Sequence, residues 1–283
     1  MLNELRELLR KYGLKPRKHL GQNFLINKDI LSEIINTADL TKNDIVLEIG
    51  PGLGTLTDFL AKEAEEVIAV EVDRRAVSLL KDKFRDSSNV RIVNCDFLKY
   101  SIPGKYSGKK IKVVGNIPYY ITTPIIEHLI DLRKNIEDIF ITVQKELAQR
   151  IIAPAASESY GSLSCFVQYY FKPEILFKIK PGSFWPAPKV ESVLLRLSPY
   201  KEPPLKVRNE KLLFTIIRNS FAKRRKTIIN ALSFILDKEL ISSIIRDLGL
   251  KHDVRAEELS LKQMAEISES IERLVPYGLR ANF

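Results

Sequence analysis

Cysteine is almost absent. Cys95 and Cys165 lie in unrelated apolar surroundings with no C-x-x-C spacing. That excludes a disulfide framework and a thiolate metal site, and fits a reduced, cytoplasmic protein. His19, His128 and His252 are far apart and share no ligand spacing, so no metal is expected. No apolar run approaches the roughly 20 residues needed to cross a bilayer, so no membrane partner is expected. The N-terminus places Glu4 and Glu7 among its basic residues and has no apolar h-region, so neither a secretory nor an organellar signal is read there. Internal repeats and low-complexity tracts are also missing. What remains is an ordinary globular composition, 45% hydrophobic and 28% charged, in 283 residues. That length suits one large domain and a smaller one.

Charge is present and uneven. Residues 1–30 hold 7 Lys/Arg against 3 Asp/Glu, and residues 201–283 hold 16 against 11, while the net charge is +10. Basic ends around a near-neutral middle suit a polyanion gripped from two sides, or a basic surface kept for solubility.

Along the chain, Leu2, Leu5, Leu8 and Leu9 have helical spacing. The polar stretch from Lys15 to Leu25 has few apolar anchors and is expected to be mobile. Asp29 or Asn27 can cap a helix carrying Ile30, Leu31, Ile34 and Ile35. Short apolar runs then alternate with helical patterns: strands at Ile45–Ile49, Val67–Val70, Val90–Val93, Ile111–Val114 and Ile139–Val143, with helices at Thr55–Ala64, Arg74–Phe84, Pro124–Leu132 and Glu146–Ile152. This rhythm predicts a mostly parallel sheet covered by helices. Leu163–Phe171 and Val190–Leu197 read as two late strands, joined by a proline-stiffened loop and paired antiparallel at the sheet edge. Pro199, Pro203 and Pro204 mark a linker. Beyond it only helices are read: Leu212–Phe221, Thr227–Leu236, Ile241–Leu248 and Leu261–Leu274.

Two strand ends carry chemistry. Glu48-Ile49-Gly50-Pro51-Gly52-Leu53-Gly54 follows a strand and opens a helix. Glycines there allow positive φ and close approach of a ligand, and the helix N-terminus adds partial positive charge. Glu71 ends the next strand, where a carboxylate accepts from ribose hydroxyls, and Asp96 follows the third. A dinucleotide loop would have glycine where Thr55 stands, and Pro51 removes a donor that a pyrophosphate would want. The E-x-G-x-G-x-G form instead resembles the first motif of S-adenosylmethionine-dependent methyltransferases, in which Asp96 would accept from the adenine amine.

The second strand end is Val113-Val114-Gly115-Asn116-Ile117-Pro118-Tyr119-Tyr120. An apolar strand stops and presents an amide acceptor, a stiff turn and an aromatic plate. The Asn116 side-chain carbonyl and a backbone carbonyl near Pro118 can accept both N–H bonds of an exocyclic amine, while Tyr119 stacks on its ring. Proline removes backbone freedom, so the turn is organised before a substrate arrives.

These two motifs, with Gly21-Gln22-Asn23-Phe24-Leu25 upstream, resemble the ribosomal RNA adenine N6,N6-dimethyltransferase superfamily from about residue 15 to residue 275. Phe184-x-Pro186-x-Pro188-Lys189-Val190-x-Ser192 and Arg218-Asn219-Ser220-Phe221-x-Lys223-Arg224-Arg225-Lys226-Thr227 look most like its KsgA-type housekeeping branch. The resemblance implies a Rossmann-like class I methyltransferase sheet, mostly parallel with its last strand antiparallel, and a small all-helical C-terminal domain. It implies a methyltransferase domain over residues 1–200, with a basic extension over 1–30, and a helical RNA-binding domain over 205–283. It implies a monomer that uses S-adenosylmethionine to dimethylate two adjacent adenines in the 3′-terminal stem-loop of small-subunit ribosomal RNA, late in subunit assembly.

By that resemblance Asn23, Leu25, Gly50, Gly52, Glu71, Asp96 and Asn116 line the cofactor, and Asn116, Pro118 and Tyr119 hold the base. Phe184 would close on the other face of the base; its residue type alone also fits an apolar plug over the sheet edge. Lys223, Arg224, Arg225 and Lys226 read as phosphate contacts or as a solvated helix face. A resistance-type methylase of large-subunit RNA and a non-catalytic assembly or transcription factor on the same fold are the competing readings.

Overall fold

The computed structural model of the protein describes residues 7, 9–13 and 22–274. Residues 7, 9 and 10 of the expected N-terminal helix are described and helical, while the rest of it and most of the Lys15–Leu25 stretch, His19 included, lie outside the described residues. The chain divides into two units, Met1–Ala148 with Lys172–Pro199, and Gln149–Phe171 with Tyr200–Phe283. The division falls at Pro199–Tyr200, beside the boundary expected over residues 200–205, but residues 149–171 cluster with the C-terminal helices.

In the first unit, β1 (Phe24–Leu25) precedes α1 (Lys28–Thr37), whose N-cap Asn27 accepts from the N–H groups of Asp29 and Ile30 at 3.0 and 3.3 Å. The alternating segment follows as β2 (Ile45–Ile49), α2 (Thr55–Glu63), β3 (Glu66–Glu71), α3 (Arg74–Lys83), β4 (Val90–Asn94), β5 (Ile111–Asn116), α4 (Thr122–Leu132) and β6 (Ile136–Gln144). α5 (Lys145–Ile152) and α6 (Ser162–Tyr170) lead to β7 (Phe171–Ile179), β8 (Phe184–Trp185) and β9 (Ser192–Pro199). Seven of the strands form one sheet in the order β4-β3-β2-β5-β6-β9-β7. β4, β3, β2, β5 and β6 pair in parallel, and β9 runs antiparallel to β6.

All five residues of β2 are buried, as expected for a central parallel strand covered on both faces. Leu31 and Ile34 of α1 and Leu56 and Leu60 of α2 pack with Val46, Val114, Phe140 and Leu194 of the sheet. The chain runs outward through β2, β3 and β4, then returns to place β5 beside β2. Ile49 pairs with Gly115, so the residues leaving the two strands, Gly50 and Asn116, emerge side by side. That reversal creates a crevice beyond the strand carboxyl ends, where ligands bind in open α/β sheets.

The late strand expected at Leu163–Phe171 is helical instead, as α6, and the strand begins where that stretch ends. α6 belongs to the second unit, within which its Phe166, Tyr169 and Tyr170 make edge-on and stacked ring contacts with Phe214. The Tyr169 and Tyr170 hydroxyls donate to Glu210 at 3.2 and 2.9 Å. The rest of that unit is α7 (Glu210–Ala222), α8 (Ile228–Leu232), α9 (Lys238–Asp247) and α10 (Leu261–Leu274). Its core is aliphatic: Leu213 and Ile216, Ile241 and Ile245, Met264 and Ile267 are buried.

Candidate active site

A cleft of about 1060 Å³, mouth included, opens at the strand ends of the first unit. It is lined by Asn23, Leu25, Glu48, Gly50, Gly52, Glu71, Asp96, Asn116, Pro118 and Tyr119, among others. The parallel sheet brings these together because β2, β3, β4 and β5 all end at the same edge.

The glycine loop turns through left-handed backbone at Gly50, Gly52 and Gly54, with φ of +64°, +57° and +72°. A Cβ on Gly54 would lie 2.8 Å from Phe84 and 2.9 Å from Leu80, so both backbone and packing exclude a side chain there. The loop spends its own donors internally. Gly52 N–H donates to Glu71 Oε2 at 3.0 Å, Gly50 N–H to the Val70 carbonyl at 3.0 Å and Gly54 N–H to the Pro51 carbonyl at 2.8 Å. Lys83, reaching back from α3, donates to the Gly54 carbonyl at 3.0 Å and to Asp58 at 2.6 Å, which ties the loop from behind.

Carboxylates dominate the cofactor side. Glu71 also accepts from Asp73 N–H at 2.8 Å. Burial pushes the Glu71 pKa up, against the backbone donors of Asp73, Gly52 and Val72. Asp96 accepts from Leu98 N–H at 3.1 Å through one oxygen. Glu48 is 1% exposed beneath α2 and accepts from the Thr57 hydroxyl at 2.6 Å. Burial raises its pKa to about 8. Among the described residues no group of three or more His, Cys, Asp or Glu side chains is placed to hold a metal ion.

At the end of β5, Asn116 Nδ2 donates to the Asn23 carbonyl at 2.7 Å. A carbonyl can only accept, so the amide orientation is fixed and Oδ1 is its remaining acceptor. Tyr119 is half-buried and its hydroxyl shares a 2.6 Å hydrogen bond with Ser192, which is fully buried on β9. Burial pushes the Tyr119 pKa up. The phenol therefore stays neutral and orients the ring rather than acting as a base. The Pro118 carbonyl accepts from Ile121 N–H and from the Thr122 hydroxyl, both at 3.3 Å, and so serves the start of α4. The N-terminal strand is anchored here: the Thr55 hydroxyl donates to the Leu25 carbonyl at 3.1 Å, and Leu25 is 2% exposed. Phe24 and Leu25 are thus tied in by pairing with β8, and Leu25 also by burial.

Phe184, expected as a second stacking plate, does not reach the cleft. β8 pairs antiparallel with β1, and successive residues of a strand face opposite ways. Phe184 joins Leu25, Leu31 and Ile34 in one apolar cluster, and Trp185 packs with Leu53, Leu79 and Leu80 in another. The plug reading of Phe184 is the one the packing matches. The four expected RNA contacts lie in the turn after α7 and are all exposed. Arg224 is engaged with Glu257 at 3.1 Å and with the Glu158 carbonyl at 3.1 Å, whereas Lys223 lies over the Phe234 ring at 5.5 Å.

The model of the ribosomal RNA adenine dimethylase family matches residues 13–273. The chain belongs to this family. Within the dimethylase family, relatives named ribosomal RNA small subunit methyltransferase A include one from Lachnoclostridium phytofermentans, 45% identical over 275 residues, covering 94% of this chain and 95% of the relative. Another, from Alkaliphilus metalliredigens, is 40% identical over 276 residues, covering 95% and 96%. A dimethyladenosine transferase structure from Plasmodium falciparum matches with a TM-score of 0.74 at 27% identity, covering 86% of this chain and 95% of that one. The structure of the 23S rRNA methyltransferase ErmE matches with a TM-score of 0.70 at 26% identity, covering 88% and 100%.

Three residues in or behind the cleft walls have no role assigned from sequence. Glu48 opens the glycine motif and Ser192 closes the Phe184–Ser192 motif, so both carried a signal without a role. Lys83 carried none, since only the fold brings α3 behind the loop.

Proposed function

We propose that the protein transfers methyl groups from S-adenosylmethionine to N6 of two adjacent adenines in the 3′-terminal stem-loop of small-subunit ribosomal RNA. In this reading it acts as a cytoplasmic monomer on a late small-subunit assembly intermediate. The observation that carries it is Asn116: an amide acceptor of fixed orientation at the end of β5, one strand away from a glycine loop backed by carboxylates.

The donor set fits this cofactor better than a dinucleotide. The N–H groups of Gly50, Gly52 and Gly54 are already used, and Glu71 and Asp96 would repel a pyrophosphate. Each carboxylate oxygen has a second lone pair, so Glu71 can accept ribose hydroxyls and Asp96 an adenine amine. Asn23, Leu25, Gly50 and Gly52 would form the cradle beside them. When bound, S-adenosylmethionine supplies an electrophilic sulfonium methyl.

The chain's own residues position the amine. Asn116 Oδ1 accepts one N6–H, and the Ile117 carbonyl is the second acceptor, since that of Pro118 is engaged in the turn. Drawing both protons away from the ring plane frees the nitrogen lone pair from delocalisation. Tyr119, pinned by Ser192, sets the plane of the base. The base must be unpaired or flipped out to reach this turn. Lys223, Arg225 and Lys226 are the exposed phosphate contacts, with Arg224 partly committed to Glu257. Relatives at 40–45% identity are named for the small subunit, which favours that target over the large-subunit one.

The test is transfer of labelled methyl groups to unmethylated small subunits, read as N6,N6-dimethyladenine. No transfer by folded, cofactor-bound protein overturns the reading. Asn116→Ala should lower turnover by about 100-fold or more while S-adenosylmethionine binding survives. Normal turnover in that variant refutes the assigned role.

A further inference from the structure

Two consecutive tyrosines follow Pro118, and the fold treats them oppositely. Tyr119 is half-buried and held by Ser192. Tyr120 is 57% exposed, the most exposed aromatic among the described large hydrophobic residues, and lines the same cleft. Among the described residues its ring makes no aromatic contact and its hydroxyl no hydrogen bond. Neither packing nor polar pairing accounts for a large ring left there. Leu98, 37% exposed, and Val72, 59% exposed, also line the cleft, so apolar surface is offered to a ligand at several points.

A base drawn into the cleft remains part of a strand, and the strand's next nucleotide has to lie close to the opening. Unstacked bases are held by exposed aromatic side chains, and a tyrosine ring does this with little rotamer freedom to lose. Tyr120 directly follows the residues that hold the target, so a ring stacked on it would be contiguous with the target base. We propose that Tyr120 is a second base subsite, a stacking plate for the nucleobase flanking the target adenine. This rests on the reading that the substrate is an unpaired adenine within RNA. The subsite takes a single-stranded nucleotide and is sequence-tolerant, because every base has a stacking face.

The test compares wild type, Tyr120→Ala and Tyr120→Phe on unmethylated small subunits, with S-adenosylmethionine affinity measured by calorimetry. Loss of one stacking plate should raise KM for the subunits roughly 5- to 150-fold. Turnover and cofactor affinity should change much less, and Tyr120→Phe, which keeps the ring, should restore KM. A second arm uses reconstituted subunits with an abasic residue beside the target: wild type should fall to the level of Tyr120→Ala, and Tyr120→Ala should lose nothing more. A KM for Tyr120→Ala within twofold of wild type overturns the subsite. So does an equal loss of cofactor affinity, which would make Tyr120 a cofactor cover, or a penalty that adds to the abasic one. If wild type itself transfers no methyl, the functional reading has failed and the subsite falls with it, an outcome distinct from transfer that is indifferent to Tyr120.

Discussion

Glu48 makes the folded protein sensitive to pH in a direction that can be worked out. Its carboxyl is sealed beneath α2, and burial is the largest influence on it, raising the pKa to about 8 from 4.5. The Thr57 hydroxyl and the Lys83 charge pull the other way, while Asp58 and Glu71 add to the rise. Between these two pKa values the folded chain holds a proton that the unfolded chain has released. Stability from this group is therefore complete below about pH 4.5 and is lost as pH rises through about 8. The slope is at most about 1.4 kcal/mol per pH unit, so the window is worth a few kcal/mol and no more than about 5.

Glu48→Gln fixes the neutral form and keeps an oxygen for Thr57 to donate to. The variant should match wild type at pH 5 and exceed it by a few kcal/mol at pH 8.5. Urea unfolding in the absence of cofactor, followed by fluorescence of Trp185, the chain's one tryptophan, reads this directly in the first unit. With a urea m-value of about 2 kcal/mol per M, the midpoints should separate by about 1 M or more at pH 8.5. Glu71 is also pushed up by burial and interacts with Glu48, so the difference between wild type and variant reads Glu48 together with that coupling. Midpoints that run parallel from pH 5 to 8.5, or a variant less stable at pH 8.5, would refute the reasoning.

Lys83→Met removes the donor behind the glycine loop; S-adenosylmethionine affinity should fall about 3- to 10-fold by calorimetry, the effect moderated by partial exposure of the ion pair, and an unchanged Kd would show that the loop holds itself. Ser192→Ala and Tyr119→Phe should each lower kcat about fivefold or more, and the double variant should be no worse than either single one, because both break the same hydrogen bond; additive losses would separate the two residues.

The legible parts of the fold are those where local and global signals agree. Ile45–Ile49 is bounded by Asp44 and Gly50, so its strand was read to the residue, and α10 was read equally well from its periodicity. Leu163–Phe171 reads as a strand because apolar and aromatic residues dominate it, and its two polar side chains, Ser164 and Gln168, give the helical phase only a single i, i+4 pair. The strand that follows was missed because Pro173, Glu174 and Lys178 interrupt it; β7 is an edge strand, where a proline is tolerated. At the site, Gly50, Glu71, Asp96 and Asn116 were legible because strand ends in a parallel sheet share one edge. Lys83 and Ser192 were not, since each meets its partner across a separation of 29 and 73 residues. The position of Phe184 was marked by its motif, yet its direction depends on pairing with β1, which no local pattern encodes.

The turn proposed to hold the amine is fixed by two independent hydrogen bonds, and that bears on how the proposed site would work without a strong base. Asn116 is oriented by a backbone carbonyl of the N-terminal segment, and Tyr119 by a buried serine of the last strand. Neither contact involves a substrate, so the acceptor and the ring plane are set before one arrives. A poor amine nucleophile needs alignment more than proton abstraction, and alignment organised in advance adds no ordering cost at the moment of reaction. The anchoring extends outward through Leu25, whose carbonyl holds Thr55 and whose side chain is clamped beside Phe184. Phe184 thus contributes to the site by fixing the strand that fixes Asn116. Tyr120 is the residue of this turn whose ring is most exposed and has no hydrogen bond or ring contact among the described residues, which is where the proposed RNA strand would have to adapt.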